Sequence, residues 1–142
     1  MMFKKILLAT DGSENANRAA DAAISLAQGL SLPSITIAHI VTSPPSESRM
    51  VQAKFDVHSL LVEESHKSLS GTLARCDAAG ITYTLKVAIG DPAQEILAHV
   101  AKEQIDLVVI GSRGLGTLKG VLIGSVSQKI AHLAPCPVLI VK

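Results

Sequence analysis

The stretch from Asp106 to Leu133, DLVVIGSRGLGTLKGVLIGSVSQKIAHL, constrains the fold more than any other part of the chain. It opens on Leu107-Val108-Val109-Ile110, apolar without alternation, as in a strand buried on both faces. It then breaks into a segment carrying Gly111, Gly114, Gly116, Gly120 and Gly124. From Ser125 the apolar residues return at the helical period, as Val126, Ile130, Leu133 and Ala134. A buried strand running through glycines into a helix start is an arrangement that binds anions. Loop amides can point inward where no side chain blocks them, and the first helical turn has free N–H groups at the positive end of the dipole. Ser125 reads as the N-cap, with Gln128 completing a capping box. Gly124 stands just before it, where the backbone must approach a phosphate and a positive φ would suit glycine.

The spacing is not that of the common nucleotide motifs. No G-x-x-x-x-G-K-[ST] occurs, and Gly114-x-Gly116 fails the dinucleotide fingerprint because Lys119 stands where the third glycine belongs. What is present is Gly111-x2-Gly114-x9-Gly124-Ser125.

The rest of the chain supplies strands and helices in alternation. Lys4 to Thr10 reads as a first strand, leading into the turn Asp11-Gly12-Ser13-Glu14 and a helix with Ala16, Ala20, Ala23, Ala27 and Leu30 on its inner face. Ser34 to Val41 is a second strand. Thr42 to Arg49, with Pro44-Pro45, is irregular and reads as a surface connection at a strand's carboxyl end, with a lid over a ligand as the alternative. One long helix is expected from about Val51 to Ala79, with Val57, Leu61, Leu69, Leu73 and Cys76 inward and Gly80 after its end. Ile81 to Ile89 alternates in part, as a half-exposed strand does. Asp91 as N-cap, Pro92 at N1 and Gln94 in a capping box then open a helix carrying Ile96, Leu97, Val100 and Ala101 inward. Val138-Leu139-Ile140-Val141 closes the chain as a fifth strand.

Five strands alternating with four helices predict right-handed βαβ units and one open parallel sheet with helices on both faces. The first and fourth strands are the most uniformly apolar and belong at the centre, while the alternating third belongs at an edge. The order 3-2-1-4-5 follows, with the winding direction reversing between strands one and four. Ligands of such sheets bind outside the carboxyl ends of the strands at that reversal. Asp11 and Gly111, a hundred residues apart in numbering, would meet there.

The glycine spacing resembles, position for position, the G-2x-G-9x-G-[S/T] nucleotide-binding signature of the universal stress protein family. The likeness extends over the chain. Lys4-Lys5-Ile6-Leu7-Leu8-Ala9-Thr10-Asp11-Gly12-Ser13 is similar to that family's opening strand and acidic turn. Ala38-His39-Ile40-Val41, Gly90-Asp91-Pro92 and Pro135-Cys136-Pro137-Val138-Leu139-Ile140-Val141 are similar to its second strand, a helix entry and its closing strand. The resemblance implies a single domain over residues 1–142 with a Rossmann-like, adenine nucleotide alpha hydrolase-like sheet. It also implies a cytoplasmic stress-response regulator that binds ATP, or ADP or AMP, with Mg²⁺ accompanying the phosphates. By the same resemblance, Ala9 and Thr10 line the floor, Asp11 lies at the nucleoside end and the Ile40 backbone reaches the adenine. Gly111 and Gly114 lie near the ribose and α-phosphate, and Gly124, Ser125 and Val126 cap the outer phosphates. Arg113 is not part of the signature, but its place inside the loop suits it to neutralise phosphate charge. A homodimer is implied as well, and the place of Val138, Leu139, Ile140 and Val141 at an apolar sheet edge without protecting charges predicts that it is built on this strand.

Composition narrows the alternatives. Lys and Arg number 13 against 12 Asp and Glu, so no electrostatic footprint points to nucleic acid or to an acidic membrane surface. The apolar runs are far too short to span a bilayer, and the run after Lys4-Lys5 reaches Asp11 too soon for a signal peptide. Cys76 and Cys136 form no C-x-x-C pair and read as small hydrophobes in a reducing compartment. The five histidines make no H-x-x-x-H pair, so no metal ligands are expected. No G-x-S-x-G elbow occurs, and Lys119 reads as an exposed loop lysine. No residue reads as a dedicated base beside a γ-phosphate, so no catalytic residue is assigned. Two alternatives remain: a slow ATPase using the same cleft, and a dimeric interaction module that binds no nucleotide.

Overall fold

The computed structural model describes residues 3–112 and 123–142. Within them a five-stranded parallel sheet is built from β1 (Ile6–Ala9), β2 (Ser34–Val41), β3 (Thr82–Ile89), β4 (Leu107–Gly111) and β5 (Val138–Val141). Its order is β3-β2-β1-β4-β5, the order the strands' apolar character predicted. β1 is buried along its whole length, because helices cover both its faces and strands flank both its edges. Ala9 pairs with Ala38 of β2 and Ile110 of β4, so the carboxyl ends of the three inner strands lie together.

Two apolar layers hold the sheet. On one side α1 (Glu14–Gly29) lays Ala19, Ala20, Ala23 and Ala27 against Ile6, Leu8, Ile35, Ile37 and Val109. All four alanines are essentially inaccessible to solvent, and side chains this small let the helix axis lie close to the sheet. On the other side α5 (Pro92–Glu103) and α6 (Ser125–Leu133) bring Ile96, Val100 and Ile130 against Leu7, Ala38, Val108 and Ile110. α5 starts as its sequence predicts, with the Asp91 carboxylate accepting from Gln94 N–H at 2.9 Å and Pro92 in the first turn. Among the described residues, no helix is long and apolar enough to cross a membrane.

The single long helix expected from Val51 to Ala79 is three: α2 (Glu47–Gln52), α3 (Val57–Ser68) and α4 (Ser70–Ala78). The first break lies at Lys54 and Phe55, both at positive φ (54° and 60°), where Phe55 N–H closes α2 on Met50 C=O at 2.7 Å. Asp56 then restarts the chain, its carboxylate accepting from Ser59 N–H and Oγ. Hydrophobic periodicity could not register this break, since α2 buries no residue and has no periodicity to interrupt. The second break, at Leu69, falls where Ser68, Ser70 and Gly71 form a run of weak helix formers. Leu61, Leu69, Leu73 and Cys76 face inward as expected, joined by Leu60 and Ser65, whereas Val57 is only half-buried. Gly80 follows α4 at φ 70°, as its place after the helix predicted. Burial raises the thiol pKa of both Cys76 and Cys136, in keeping with their reading as packing groups.

Candidate functional site: a cleft at the carboxyl ends of the strands

The cleft begins where β1 ends. Thr10 continues the strand by donating its N–H to Ala38 C=O at 3.1 Å, and its own hydroxyl accepts from Gly12 N–H at 3.1 Å. Asp11 accepts from Ser13 N–H at 2.9 Å, and Ser13 caps α1 by accepting from Ala16 N–H. Capping therefore falls to Ser13. The Asp11 carboxylate shapes the turn and faces a cavity of about 410 Å³. Ile40, Val41 and Thr42 from β2 and its exit line the same cavity, with Glu64, Ser65 and Ser68 of α3 and Pro92 of α5. Asp11 and Ile40, both named from the sequence, thus share one space. Ala9 and Thr10 are buried at the strand end behind it.

β4 and α6, which carry the described ends of the glycine-rich segment, contribute no residue to the lining of that cavity. Two hydrogen bonds join the ends of the glycine-rich segment: Gly124 N–H to Ser112 C=O at 2.6 Å and Ser127 Oγ–H to Gly111 C=O at 2.7 Å. They bring the α6 start to the end of β4, beside β1 through the Ala9–Ile110 pair. The N-cap of α6 is Gly124, not Ser125, because the extended backbone (φ −66°, ψ 158°) is at Gly124 and its carbonyl already accepts from Gln128 N–H. Ser125 is the first helical residue and exposed, and no side chain caps the helix. Nor does Gly124 adopt positive φ, since an N-cap residue sits in the extended region. An α-helix has no internal acceptor for the N–H groups of its first turn, here Ser125, Val126 and Ser127. Arg113, Gly114 and Lys119 lie outside the described residues.

Several cavity residues were not singled out from the sequence as site residues. His39 extends the β2 face that carries Ile35 and Ile37, and its Nδ1 lies 2.8 Å from Ser65 Oγ. Ser65 is wholly buried in the stripe between Leu61 and Leu69. A histidine and a serine at positions that periodicity reserves for apolar residues were the available signal. Glu64 also holds α2 at the cavity rim through a 3.0 Å ion pair with Arg49. The segment after β2, expected to be irregular to Arg49, is thus helical from Glu47 and tied to α3.

Burial lowers the His39 pKa, with the nearby Asp11 carboxylate partly opposing the shift. The folded state therefore takes up a proton on His39 less readily than the unfolded chain, whose histidines titrate near ~6.5. The stability from neutral His39 is complete above that value and is lost as pH falls through it toward the lower folded pKa. His99 shifts in the same direction and adds to the loss. Thermal melts between pH 7.5 and 5.5 are expected to show falling stability on acidification. A His39→Gln variant should show a shallower slope, and an unchanged slope would remove His39 as a source.

An open parallel α/β sheet with a cleft at its switch point is one class of small-ligand-binding domain. Comparison with known proteins specifies it further. The model of the universal stress protein family matches residues 2–142. The chain is 35% identical over 149 residues to the universal stress protein YxiE of Bacillus subtilis, covering 99% of this chain and 100% of that one. The solved structure of MJ0577 from Methanocaldococcus jannaschii matches with a TM-score of 0.78 at 27% identity, covering 100% of this chain and 97% of that one. A universal stress protein solved in complex with cAMP matches with a TM-score of 0.71 at 26% identity, covering 100% and 98%. The chain belongs to the universal stress protein family.

Proposed function

We propose that this chain binds an adenine nucleotide in the cleft between β1 and β4, and that its occupancy regulates association with partners. The observation that carries this reading is the cavity shared by two separate segments at the carboxyl ends of the strands. Asp11 and Ile40 line it, while Gly111 ends β4 next to β1 and is bonded to α6 through Ser127, outside the lining of that cavity. The cAMP complex of a relative supports an adenine ligand. The nucleoside would lie against Ile40 and Asp11 and the phosphates against the first turn of α6, beside Gly124, where Ser125 and Val126 present backbone N–H groups to negative charge. ATP fits the family's glycine signature best, with Mg²⁺ carried on its phosphates. Among the described residues no cluster of metal-ligating side chains is preformed, so the cation would arrive with the nucleotide. Denaturing the purified protein and identifying any released nucleotide tests the reading. Finding none, together with no calorimetric binding of ATP, ADP, AMP or cAMP, would leave the interaction-module alternative. Phosphate release measured on the ATP complex separates regulation from slow hydrolysis.

The same reading includes a homodimer through β5. This strand lies at a sheet edge, with Leu139 exposed and Val138, Ile140 and Val141 half-buried. Apolar edges without protecting charges invite pairing, and a second copy about a two-fold axis would satisfy their free backbone groups. Deleting 138–142 is expected to give monomer or aggregate. Sedimentation of the intact chain as a monomer at micromolar concentration would refute the dimer.

A further inference from the structure

On the α5 side of the sheet, one face of β2 and β3 carries side chains that a covered parallel sheet does not call for. Such sheets are normally apolar on both faces. Here Ser34 pairs with Thr82, Thr36 with Thr84 and Ala38 with Lys86. Cross-strand partners share a face, so hydroxyls and a lysine stand beside the apolar strip on which α5 packs. Two adjoining cavities open there, of about 390 and 250 Å³, sharing Lys86, His99 and Glu103. The smaller lies at the amino ends of β1 and β2, opposite the cleft. Lys4, Lys5 and Lys86 line it against a single carboxylate, Glu103.

The donors there are poorly employed within the fold. His99 Nε2 is buried and has no hydrogen-bond partner. Among the described residues Lys86 forms no ion pair, and Lys5 is anchored through its Nζ to Glu103 C=O at 3.0 Å, a contact that leaves donor capacity over. Burial lowers the His99 pKa, helped by Lys86 and Lys102 and opposed by Glu103. A neutral imidazole can still present one N–H. Of the two carboxylates along the groove, Glu95 turns toward Gly90 and does not line the smaller cavity. The excess of cationic and hydroxyl donors over acceptors suits a ligand of opposite character.

We propose that this groove is a second ligand site, taking a small multivalent oxyanion between Lys5, Lys86 and His99 over the Thr36–Thr84 pair. Phosphate-bearing and polycarboxylate ligands share that chemistry, and two probes distinguish them. Pyrophosphate and citrate are titrated separately at fixed ionic strength into the full chain, with the His99 ring resonances followed by NMR. A saturable shift with at least one probe is expected, and the probe that produces it names the ligand class. Lys86→Glu should weaken that binding at least tenfold. Lys67→Glu, the same charge change on α3, should leave it within twofold. No saturable shift with either probe overturns the proposal, as does equal weakening in both variants, which would mark a non-specific charge effect. ATP binding measured on folded Lys86→Glu is expected to match wild type, so a failure of the groove and a failure of the cleft are read separately.

Discussion

On the proposed reading, Gly124→Val is expected to give a folded protein that does not bind adenine nucleotide. Gly124 is the N-cap of α6, and its N–H is already used on Ser112 C=O. Its φ of −66° and ψ of 158° are open to valine, so no backbone strain opposes the substitution. Valine is a poorer N-cap than glycine by about 1 kcal/mol and must also be packed at a buried position, which predicts a melting temperature lower by at least roughly 4 °C. The binding loss comes from elsewhere. With no side chain capping α6, the proposed phosphates lie directly over its first turn, and a branched side chain at the cap stands between them and those N–H groups. Ser125→Ala provides the contrast. Ser125 is exposed and does not cap, so stability should stay within about 0.5 kcal/mol of wild type. One hydrogen bond to a charged ligand would be lost, worth about 1–3 kcal/mol of affinity. Calorimetric titration with ATP beside thermal melts separates the two effects. Wild-type affinity in folded Gly124→Val would remove the phosphates from this end of the cleft.

The sheet order was legible because it rests on burial, and burial is written in side chains. Leu107-Val108-Val109-Ile110 and Ile6-Leu7-Leu8-Ala9 admit no solvent face, whereas Thr82 to Ile89 alternates and went to an edge. Asp11 was placed at the crevice because strand one ends at the winding reversal, whereas Ile40 was named only through the family resemblance; Gly111, the partner the reversal predicted for Asp11, does not line their cavity. What escaped was set by backbone conformation or by polar groups hidden in apolar stripes. Lys54 and Phe55 at positive φ are an unusual choice of residues for a helix break, so one helix was expected where three stand. Ser65 lies in the apolar stripe of α3 and showed its role only once His39 was found 2.8 Å away. Ser125 looked like a cap because serine commonly is one. Glycine took the place because the extended backbone, and the carbonyl that accepts from Gln128, belong to Gly124.

The largest loss of stability is expected at Gly12. Its φ is 79°, which for alanine costs about 1–2 kcal/mol. A Cβ there would also run into the carbonyl oxygen of Ser68, a backbone atom that cannot swing aside as a side-chain end can. Gly80 separates the two penalties, since it has φ 70° with nothing within 4 Å of the added carbon. Gly29 carries neither, being helical with open space around it. Gly29→Ala should therefore be neutral or gain up to about 1 kcal/mol, and Gly80→Ala should lose about 1–2 kcal/mol. Gly12→Ala should lose about 4 kcal/mol, in the exceptional range for a single substitution. Denaturant midpoints of the three variants read this order directly. The site feels the same contact. Asp11 stands on one wall of the cavity and Ser68 on another, and Gly12 is where the walls touch. Prising them apart moves the Asp11 turn away from α3, so Gly12→Ala should lose nucleotide affinity even where it remains folded, whereas Gly80→Ala should keep it. Equal stability losses at Gly12 and Gly80 would show that α3 yields to the added methyl and that this contact does not set the width of the cavity.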